Sequence, residues 1–218
     1  MRYICVMSTK EKIVERALHL FNESGINKVG VREIAASLGI SPGNMSYYFP
    51  KKEDLLEELQ HRIGQANDAA FKSFFASPGG IVHFLQLMQQ IFNNQYKYRC
   101  LLLSLVELQK EANNNRASYR EVEQRRRHFY RTVFQAMVTH KELRATEADL
   151  DFLVSFITLA GRFWLSEAAV SFRDWTKEEI INYYLKLISK QLALFATTKG
   201  KEILANPEWA ALEKGGTR

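Results

Sequence analysis

The residues best suited to chemistry lie in one short polar run, 39–52. Asn44 can pair with both hydrogen-bonding atoms on the edge of an adenine, and Ser46 can bond to several bases or to a phosphate. Tyr47 and Tyr48 carry hydroxyl groups, and two lysines follow, which suits a phosphate backbone. This run therefore favours contact with a nucleic acid. Because it holds no Arg or Lys before its last two residues, direct readout of guanine should be weak.

Two short helices must position this run. The pattern predicts a helix over 31–38, a turn at Gly39, and a second helix over 42–48 with Ser41 as its N-cap. Ala35 is small enough to let the two helices cross closely. A pair of short helices joined by a glycine turn is a helix-turn-helix, and its second helix can enter the major groove of DNA.

The same pattern separates buried from exposed residues. The side chains predicted to face a small core shared with the first helix are Ile34, Leu38, Ile40, Met45 and Phe49. This leaves Gly43, Asn44, Ser46 and Tyr47 exposed on the second helix, where base edges or phosphates can reach them.

The rest of the chain reads as helical. Apolar residues recur every three or four positions almost throughout, and no strand-like alternation persists. A first helix begins at Ser8 or Thr9 and ends at Gly25. Later helices are predicted over 52–75, 81–95, 98–113, 116–140, 146–171 and 177–197. We therefore predict an all-α fold in two parts, an N-terminal domain over 1–51 and a larger C-terminal domain over 52–218.

The N-terminal residues resemble a known family. The run from Ile13 to Gly25, with Ala17 and Phe21 between, and the run from Ile34 to Leu55, with Leu38-Gly39-Ile40-Ser41 and Tyr48-Phe49, are similar to the N-terminal domain of the tetracycline-repressor (TetR) family of bacterial transcriptional regulators. The resemblance covers about a fifth of the chain. It implies that the residues at or near DNA are Arg32, Ser41, Gly43, Asn44, Tyr47, Tyr48 and Lys52, to which the bottom-up interpretation adds Ser46.

Two positions depart from the family pattern. Gly30 stands where the family usually has a threonine that caps the second helix and touches phosphate. Ser46 stands where the family usually has a tyrosine, with Tyr47 next to it. The aromatic phosphate contact is either shifted by one residue, which rotates it by about 100° around the helix, or lost.

The resemblance implies that the C-terminal domain binds a small-molecule effector and dimerises through its last two helices, as in a repressor that its effector releases from an operator. The high content of Phe and Tyr favours an apolar or aromatic effector. Aromatic and flexible residues in the middle of the domain are candidates for the effector pocket, or simply for the core: Phe84, Met88, Phe92, Tyr96, Leu105, Phe129, Phe134 and Met137. Two apolar stripes supply candidates for a homodimer interface, or again for the core: Leu153, Ile157, Gly161, Trp164, Tyr184, Ile188 and Leu192.

A basic segment offers an alternative function. Of the net charge of +6, most falls in residues 116–145, where eight Lys and Arg residues face three acidic ones. Arg116, Arg120, Arg127 and Arg131 share one side of a helix, as a solvated face or as a surface for an acidic partner. An all-α interaction protein that uses this stripe is the competing class.

Other functions find little support. The two cysteines and five scattered histidines show neither disulfide nor metal-ligand spacing, and no nucleophile, phosphate-loop or paired-carboxylate motif is visible. We therefore expect no enzyme, metal or cofactor. The apolar segment 152–165 is too short to span a membrane, so we expect a cytoplasmic protein. Residues 1–6 read as an upstream extension before a natural start at Met7.

Overall fold

The computed structural model describes residues 7–111 and 116–206, apart from the side chains of 111 and 116–119. Residues 1–6, the connection 112–115 and the C-terminal tail 207–218 lie outside the described residues. Eleven α-helices occur in the part described, with a 3₁₀ turn at Ile26–Lys28: α1 Thr9–Ser24, α2 Val31–Leu38, α3 Pro42–Tyr48, α4 Lys52–Phe75, α5 Gly80–Lys97, α6 Arg99–Leu103, α7 Leu105–Glu111, α8 Arg116–Thr139, α9 Glu147–Ser171, α10 Lys177–Ala193 and α11 Thr198–Ala205.

Hydroxyl side chains cap the N-termini of several helices. The hydroxyl oxygens of Ser8, Ser41, Thr146 and Thr176 each accept a hydrogen bond from the backbone N–H three residues on. Such a cap satisfies a donor that the helix itself leaves open. Ser8 is thus the N-cap of α1. The all-α prediction is confirmed for the described residues.

The N-terminal core is small and extends beyond the first three helices. It takes residues from α1 to α4 and from α6: Ile13, Val14, Ala17, Leu18, Phe21, Ile26, Val29, Ile34, Ala35, Met45, Phe49, Leu55, Leu56, Leu59, Tyr98, Cys100 and Leu101. A domain boundary at residue 51 would separate the three leucines of α4 from the core that they complete. The start of α4 therefore belongs to the N-terminal core, while its end, with Ala70 and Phe74, belongs to the larger core.

A larger core holds the C-terminal part together. It is centred on α5, whose Phe84, Met88 and Phe92 are fully buried against the end of α4 and against α8, α9 and α10. Trp164 of α9 packs on Phe92 with ring centroids 4.6 Å apart. This packing leaves α9 with one face in the core and one face outside.

The predicted helix over 98–113 is wrong in detail. The chain bends at Ser104, which separates α6 from α7, and its backbone N–H bonds to the carbonyl of Cys100. The bend lets Leu101 join the N-terminal core while Leu105 turns towards the C-terminal part. Local helix periodicity cannot show such a bend, because both pieces keep the same apolar spacing.

The predicted last helix also ends too late. Helix α10 stops at Ala193, and a further helix, α11, follows. The backbone N–H of Thr197 donates to the carbonyl of Glu142, 3.0 Å away, and a Cβ on Gly200 would lie 2.1 Å from the same oxygen. Only a glycine allows α11 to pack this closely on the start of the α8–α9 connection.

By length and composition α9 could cross a membrane. Of its most apolar window, 39% is buried inside this chain. Leu153, Ile157 and Trp164 account for much of that burial, because they pack in the larger core. The hydropathy of α9 therefore reflects in part a helix that carries core residues along its length.

Candidate nucleic-acid interface and ligand cavity

The turn between α2 and α3 is built as the sequence predicts. Gly39 adopts a left-handed conformation with φ 65°, and the N–H of Ile40 bonds back to the carbonyl of Ala35. Ala35 is buried, as are Ile34 and Met45 on the two helices. The two helices are thus fixed to each other and to α1 by a close-packed interior.

The opposite side of α3 is open. Gly43, Asn44, Ser46 and Tyr47 are all exposed, and we call them the α3 face. Tyr47 is 81% exposed, and its ring meets that of Tyr48 edge-on with centroids 5.0 Å apart. Tyr48 is partly buried against the N-terminal core, and its ring therefore gives the ring of Tyr47 a fixed support. Tyr47 thus presents an exposed aromatic ring one position after Ser46.

The ends of α2 and α3 are held by short polar contacts. The hydroxyl of Ser41 accepts from the N–H of Asn44, 3.1 Å away, while its own hydrogen remains available to donate. At Gly30 the cap comes from Glu33, whose carboxylate accepts from the Gly30 N–H at 3.0 Å. The glutamate thus satisfies the N–H of Gly30, whereas no side chain at position 30 caps the first N–H groups of α2.

The basic residues around the α3 face differ in their freedom. Arg32 is exposed at the start of α2. Lys52 is partly buried, and its ammonium group donates to the carbonyl of Ile26, 3.0 Å away. One of its three donors is therefore used to hold the loop before α2, and two remain.

Two adjoining cavities lie deeper in the molecule, between α4, α8 and α9. The first, of about 490 Å³, we call the aromatic chamber because Phe71, Phe75, Phe129 and Tyr130 line it. The second, of about 350 Å³, we call the aliphatic chamber, and its apolar lining is Ile63, Leu101, Leu102, Leu105 and Leu108.

The two chambers share a wall that we call the collar: Gly64, Asn67, Gln95, Val122, Arg126 and Gly161. A Cβ placed on Gly64 or Gly161 would meet nothing within 4 Å, because both glycines face open space. Gln95 is held on both sides, since it accepts from the indole N–H of Trp164 and donates to the carbonyl of Gly161. The collar is therefore a partly polar wall in which Gln95 ties the backbone of Gly161 to α5.

Most of the residues predicted to form an effector pocket do not line these chambers. Only Phe129 and Leu105 do so, one in each chamber. Tyr96 lies at the end of α5 beside Arg99 and Lys177. The remaining five are packed solidly in the larger core: Phe84, Met88, Phe92, Phe134 and Met137. All five are buried, and they pack among the other residues of that core.

The cavity residues that the sequence did not reveal are mainly polar. Asn67, Gln95, Arg126 and Arg162 come from four different helices, with no shared spacing along the chain. Only Phe129 and Leu105 carried a usable signal, and that signal was the same aromatic and apolar periodicity that marks a core.

The predicted dimer residues need a similar correction. Six of the seven are buried within the single chain, where they build its core: Leu153, Ile157, Trp164, Tyr184, Ile188 and Leu192. The seventh, Gly161, faces the collar and not the outside. A helix stripe that is already covered by its own chain cannot cover a second copy as well.

The outer sides of α9 and α10 carry a different apolar set, which we call the outer stripe. Its members are Phe152, Leu159, Phe163 and Val170 on α9, Leu187 on α10, and Leu194 directly after the end of α10. Leu159 is 60% exposed and Leu194 is 78% exposed. The spacing of seven between several of these positions is that of a helix-packing seam.

The arginine stripe of α8 is partly used inside the chain. Arg131 forms ion pairs with Glu147 and Asp151 of α9, and Arg127 donates to the hydroxyl of Ser155. Arg120 is exposed, and the side chain of Arg116 lies outside the described residues. The stripe thus helps to join α8 to α9.

Two family models match this chain. The model for bacterial regulatory proteins of the tetR family matches residues 13–59, and the model TetR, described as a bacterial transcriptional repressor, matches residues 57–203. The second match alone covers more than half of the chain.

Individual proteins agree with these models. The chain is 34% identical over 98 residues to the probable HTH-type transcriptional regulator YttP of Bacillus subtilis (strain 168), a match that covers 44% of this chain and 47% of YttP. Over 51 residues it is 51% identical to the HTH-type regulator YuxN of the same organism, covering 23% and 18%. The matched stretch thus spans less than half the length of these curated relatives.

A solved structure extends the likeness to the whole fold. A TetR-family transcriptional regulator from Marinobacter aquaeolei VT8 superposes with a TM-score of 0.82 at 21% identity, covering 95% of this chain and 98% of the other. The helix-turn-helix, the larger helical part and the match over 57–203 lead to one conclusion. The chain belongs to the TetR family of bacterial regulatory proteins.

Proposed function

We propose that this protein is a sequence-specific transcriptional repressor that binds operator DNA through the α3 face and is released by a small molecule. The observation that carries the proposal is the exposure of Asn44, Ser46 and Tyr47 on a helix whose other side is locked in the N-terminal core. Small polar groups on a rigid support can approach base edges without a further loss of conformational freedom.

Each exposed group has a role that fits its chemistry. Asn44 pairs with adenine through N6 and N7, and Ser46 bonds to a neighbouring base or phosphate. Tyr47, Ser41 and the free donors of Lys52 contact phosphates, as does Arg32, while Gly43 lets the backbone of α3 approach the DNA closely. These contacts fix the register, and Asn44 supplies most of the direct sequence discrimination.

A homodimer follows from the geometry of DNA. Two copies of α3 must reach successive major grooves, which lie about 34 Å apart. The outer stripe of α9 and α10 supports this assembly, because exposed apolar residues at helical spacing can form a four-helix contact with the same surface of a second copy. We therefore move the proposed interface from the buried stripes to Phe152, Leu159, Phe163, Val170, Leu187 and Leu194.

Release by a ligand needs a physical connection between the chambers and α3. Helix α4 provides one, since its first turns complete the N-terminal core and its later turns line both chambers. Leu101 provides a second, because it belongs to that core and also lines the aliphatic chamber. A ligand that favours one position of these helices changes DNA affinity by its differential affinity for the two states, typically about 1–3 kcal/mol.

The remaining features fit a regulator. We infer a protein that works in the bacterial cytoplasm, where its operator is, and that has no catalytic step. This inference rests on the family, which consists of bacterial regulatory proteins. The interaction-protein alternative is not favoured, because Arg127 and Arg131 already contact α9.

Binding to the DNA that flanks its own gene tests the proposal. In fluorescence anisotropy with labelled duplexes, Asn44→Ala should lower the affinity for the operator by about 1–3 kcal/mol while leaving binding to random duplex almost unchanged. Lys52→Ala should weaken both and reduce the salt dependence by about one ion.

Two controls sharpen this test. Arg120→Ala on the arginine stripe should leave DNA binding unchanged. Thermal unfolding of Lys52→Ala shows whether loss of the bond to Ile26 also destabilises the fold. Equal losses on operator and random duplex for Asn44→Ala, or no binding to any flanking fragment, would contradict the proposal.

A further inference from the structure

We propose that the ligand of the two chambers is an amphipathic organic acid, whose carboxylate lies at the collar between Arg126 and Arg162 and whose apolar body fills the aromatic chamber. This inference rests on the proposed ligand-responsive function and names the chemical class of its effector. It replaces the purely apolar or aromatic effector that the composition suggested.

The charges around the chambers favour an anion. Among the charged side chains that the described residues bring to the chamber walls, Arg125, Arg126 and Arg162 oppose the single carboxylate of Asp68. Glu123 stands behind two of these arginines, with its Oε2 3.2 Å from Nη1 of Arg126 and 2.5 Å from Nη2 of Arg162. Among the described residues, guanidinium groups thus outnumber carboxylates around the chambers. A ligand carboxylate can form charge-assisted hydrogen bonds with such groups.

The neutral polar groups also present donors. Asn67 accepts from the side-chain N–H of Asn94 at 3.1 Å, so its own NH₂ group remains to donate at the collar. Thr158, which is 5% exposed, lines the aromatic chamber, and its hydroxyl has no hydrogen-bond partner among the described residues. A buried hydroxyl without a partner costs free energy unless a ligand supplies one. Asn67 and Thr158 thus each offer a donor to a ligand carboxylate, which can accept from both.

The aromatic chamber fits an apolar body. Phe71 and Phe129 pack with ring centroids 4.5 Å apart, and Phe129 lies 5.5 Å from Tyr130. Burial raises the pKa of Tyr130 to about 12, so this phenol stays neutral and adds no negative charge to the wall. A chamber of about 490 Å³ accepts a single ring or a medium-length chain.

The position of the acid also explains how it would act. A carboxylate at the collar competes with Glu123, which accepts a hydrogen bond from Arg126 and forms an ion pair with Arg162, and so changes the contact between α8 and α9. A protonated amine in the same place would meet the like charges of Arg126 and Arg162 instead. A ligand that bridges the collar touches both the aromatic chamber and the aliphatic chamber that contains Leu101.

Matched probes test the charge of the ligand. The full-length protein is titrated calorimetrically at pH 7.5 with 4-phenylbutanoate and decanoate, and with the alcohol and the amine of each carbon skeleton. We expect each acid to bind at least about tenfold more tightly than its alcohol, because a charge-assisted bond is stronger than a neutral one. The amines should bind more weakly still.

Variants locate the site. Arg126→Gln and Arg162→Gln should reduce the preference for acid over alcohol to about threefold or less, whereas Arg120→Gln, on the exposed side of α8, should leave it unchanged. Thermal unfolding shows whether each variant is folded. If Arg162→Gln is not, Arg126→Gln and the acid, alcohol and amine series on the unaltered protein still decide the question.

The possible outcomes divide clearly. Equal binding of an amine or alcohol, failure of both acids to bind, or an acid preference that survives Arg126→Gln overturns the proposal. DNA binding is measured separately on ligand-free protein, and Asn44→Ala should leave acid binding intact. A protein that binds acids without binding its flanking DNA would sink the proposed function alone, and the reverse result would sink only the choice of ligand.

Discussion

The α3 face and the two chambers represent opposite ways of building a binding site. The α3 face comes from one continuous stretch of chain, and its side chains point outward from a helix fixed by a cap, a turn and a small core. The chambers come from several helices that are far apart in sequence, and their polar residues meet only after the larger part has folded. A site of the first kind depends on local rigidity, whereas a site of the second kind depends on how whole helices are placed.

The largest expected effect comes from removing the support of the α3 face. Met45→Ala opens a cavity in the N-terminal core and should reduce the free energy of unfolding by about 2–5 kcal/mol. Operator binding should fall with it, although Asn44, Ser46 and Tyr47 are unchanged. Chemical denaturation followed by circular dichroism measures the stability, and Ser46→Ala on the exposed side serves as a matched control with little loss. A Met45→Ala protein that is as stable as the unaltered protein would contradict the dependence of the α3 face on the N-terminal core.

The outer stripe should give the next largest effect. Leu159→Glu places a charge on the proposed contact between two copies and should weaken dimerisation by about a hundredfold, because an unpaired charge in an apolar interface is costly. Sedimentation velocity measures the change, and anisotropy should show weaker operator binding, since a single copy reaches one half-site. Gln135→Glu, on the exposed side of α8, is the control. A Leu159→Glu protein that remains dimeric would exclude the outer stripe as the interface.

The contact between α1 and α6 tests whether the two regions communicate. Asn22 donates to the carbonyl of Lys97 at 2.8 Å and accepts from the N–H of Cys100 at 3.0 Å. Asn22→Ala leaves both backbone groups without this partner, which should cost about 1–3 kcal/mol and loosen α6 from the N-terminal core.

Cys100 reports this loosening directly. Burial raises the pKa of its thiol to about 11, so it should react slowly with thiol reagents at pH 8. In a Cys5→Ser background, Asn22→Ala should speed the labelling of Cys100, and the effect of a ligand on DNA affinity should shrink. Unchanged labelling and unchanged coupling would show that α4 alone transmits the signal.

The smallest expected effect is on the stability of the fold at acidic pH, and it comes from one local group of charges. Arg62 of α4 bonds to Glu11 of α1 and to Glu58, and it holds the pKa of both carboxyls below the ordinary value. A carboxyl with a lowered folded pKa stabilises the protein above its unfolded pKa, and this contribution is lost as the pH falls through the folded value. Arg62→Gln should therefore flatten the loss of stability below about pH 4.5. Thermal unfolding between pH 3 and 7 measures it, and a slope identical to that of the unaltered protein would exclude this contact as its source.

The sequence was informative wherever structure is encoded by near neighbours. Ser41, Gly39 and Pro50 mark the ends of α3, and the structure places them as their chemistry predicts. It was misleading for Phe84, Met88 and Leu153, because an apolar stripe has the same spacing whether it faces a cavity, a second copy or the core of its own chain. It gave no indication of Arg162 as a cavity residue, because this arginine lies within an apolar helix and meets Arg126 only through Glu123.

The sequence by itself determined the helices, the turn that makes the helix-turn-helix and the small polar set on α3, because caps, turns and periodicity act over a few residues. Only the tertiary structure decided which apolar stripes are buried inside the chain, that the chain bends between α6 and α7, and that Arg126, Asn67 and Gly161 share one collar. These outcomes depend on how long helices pack against one another. That packing is set by contacts between residues far apart in the chain, which no local pattern records.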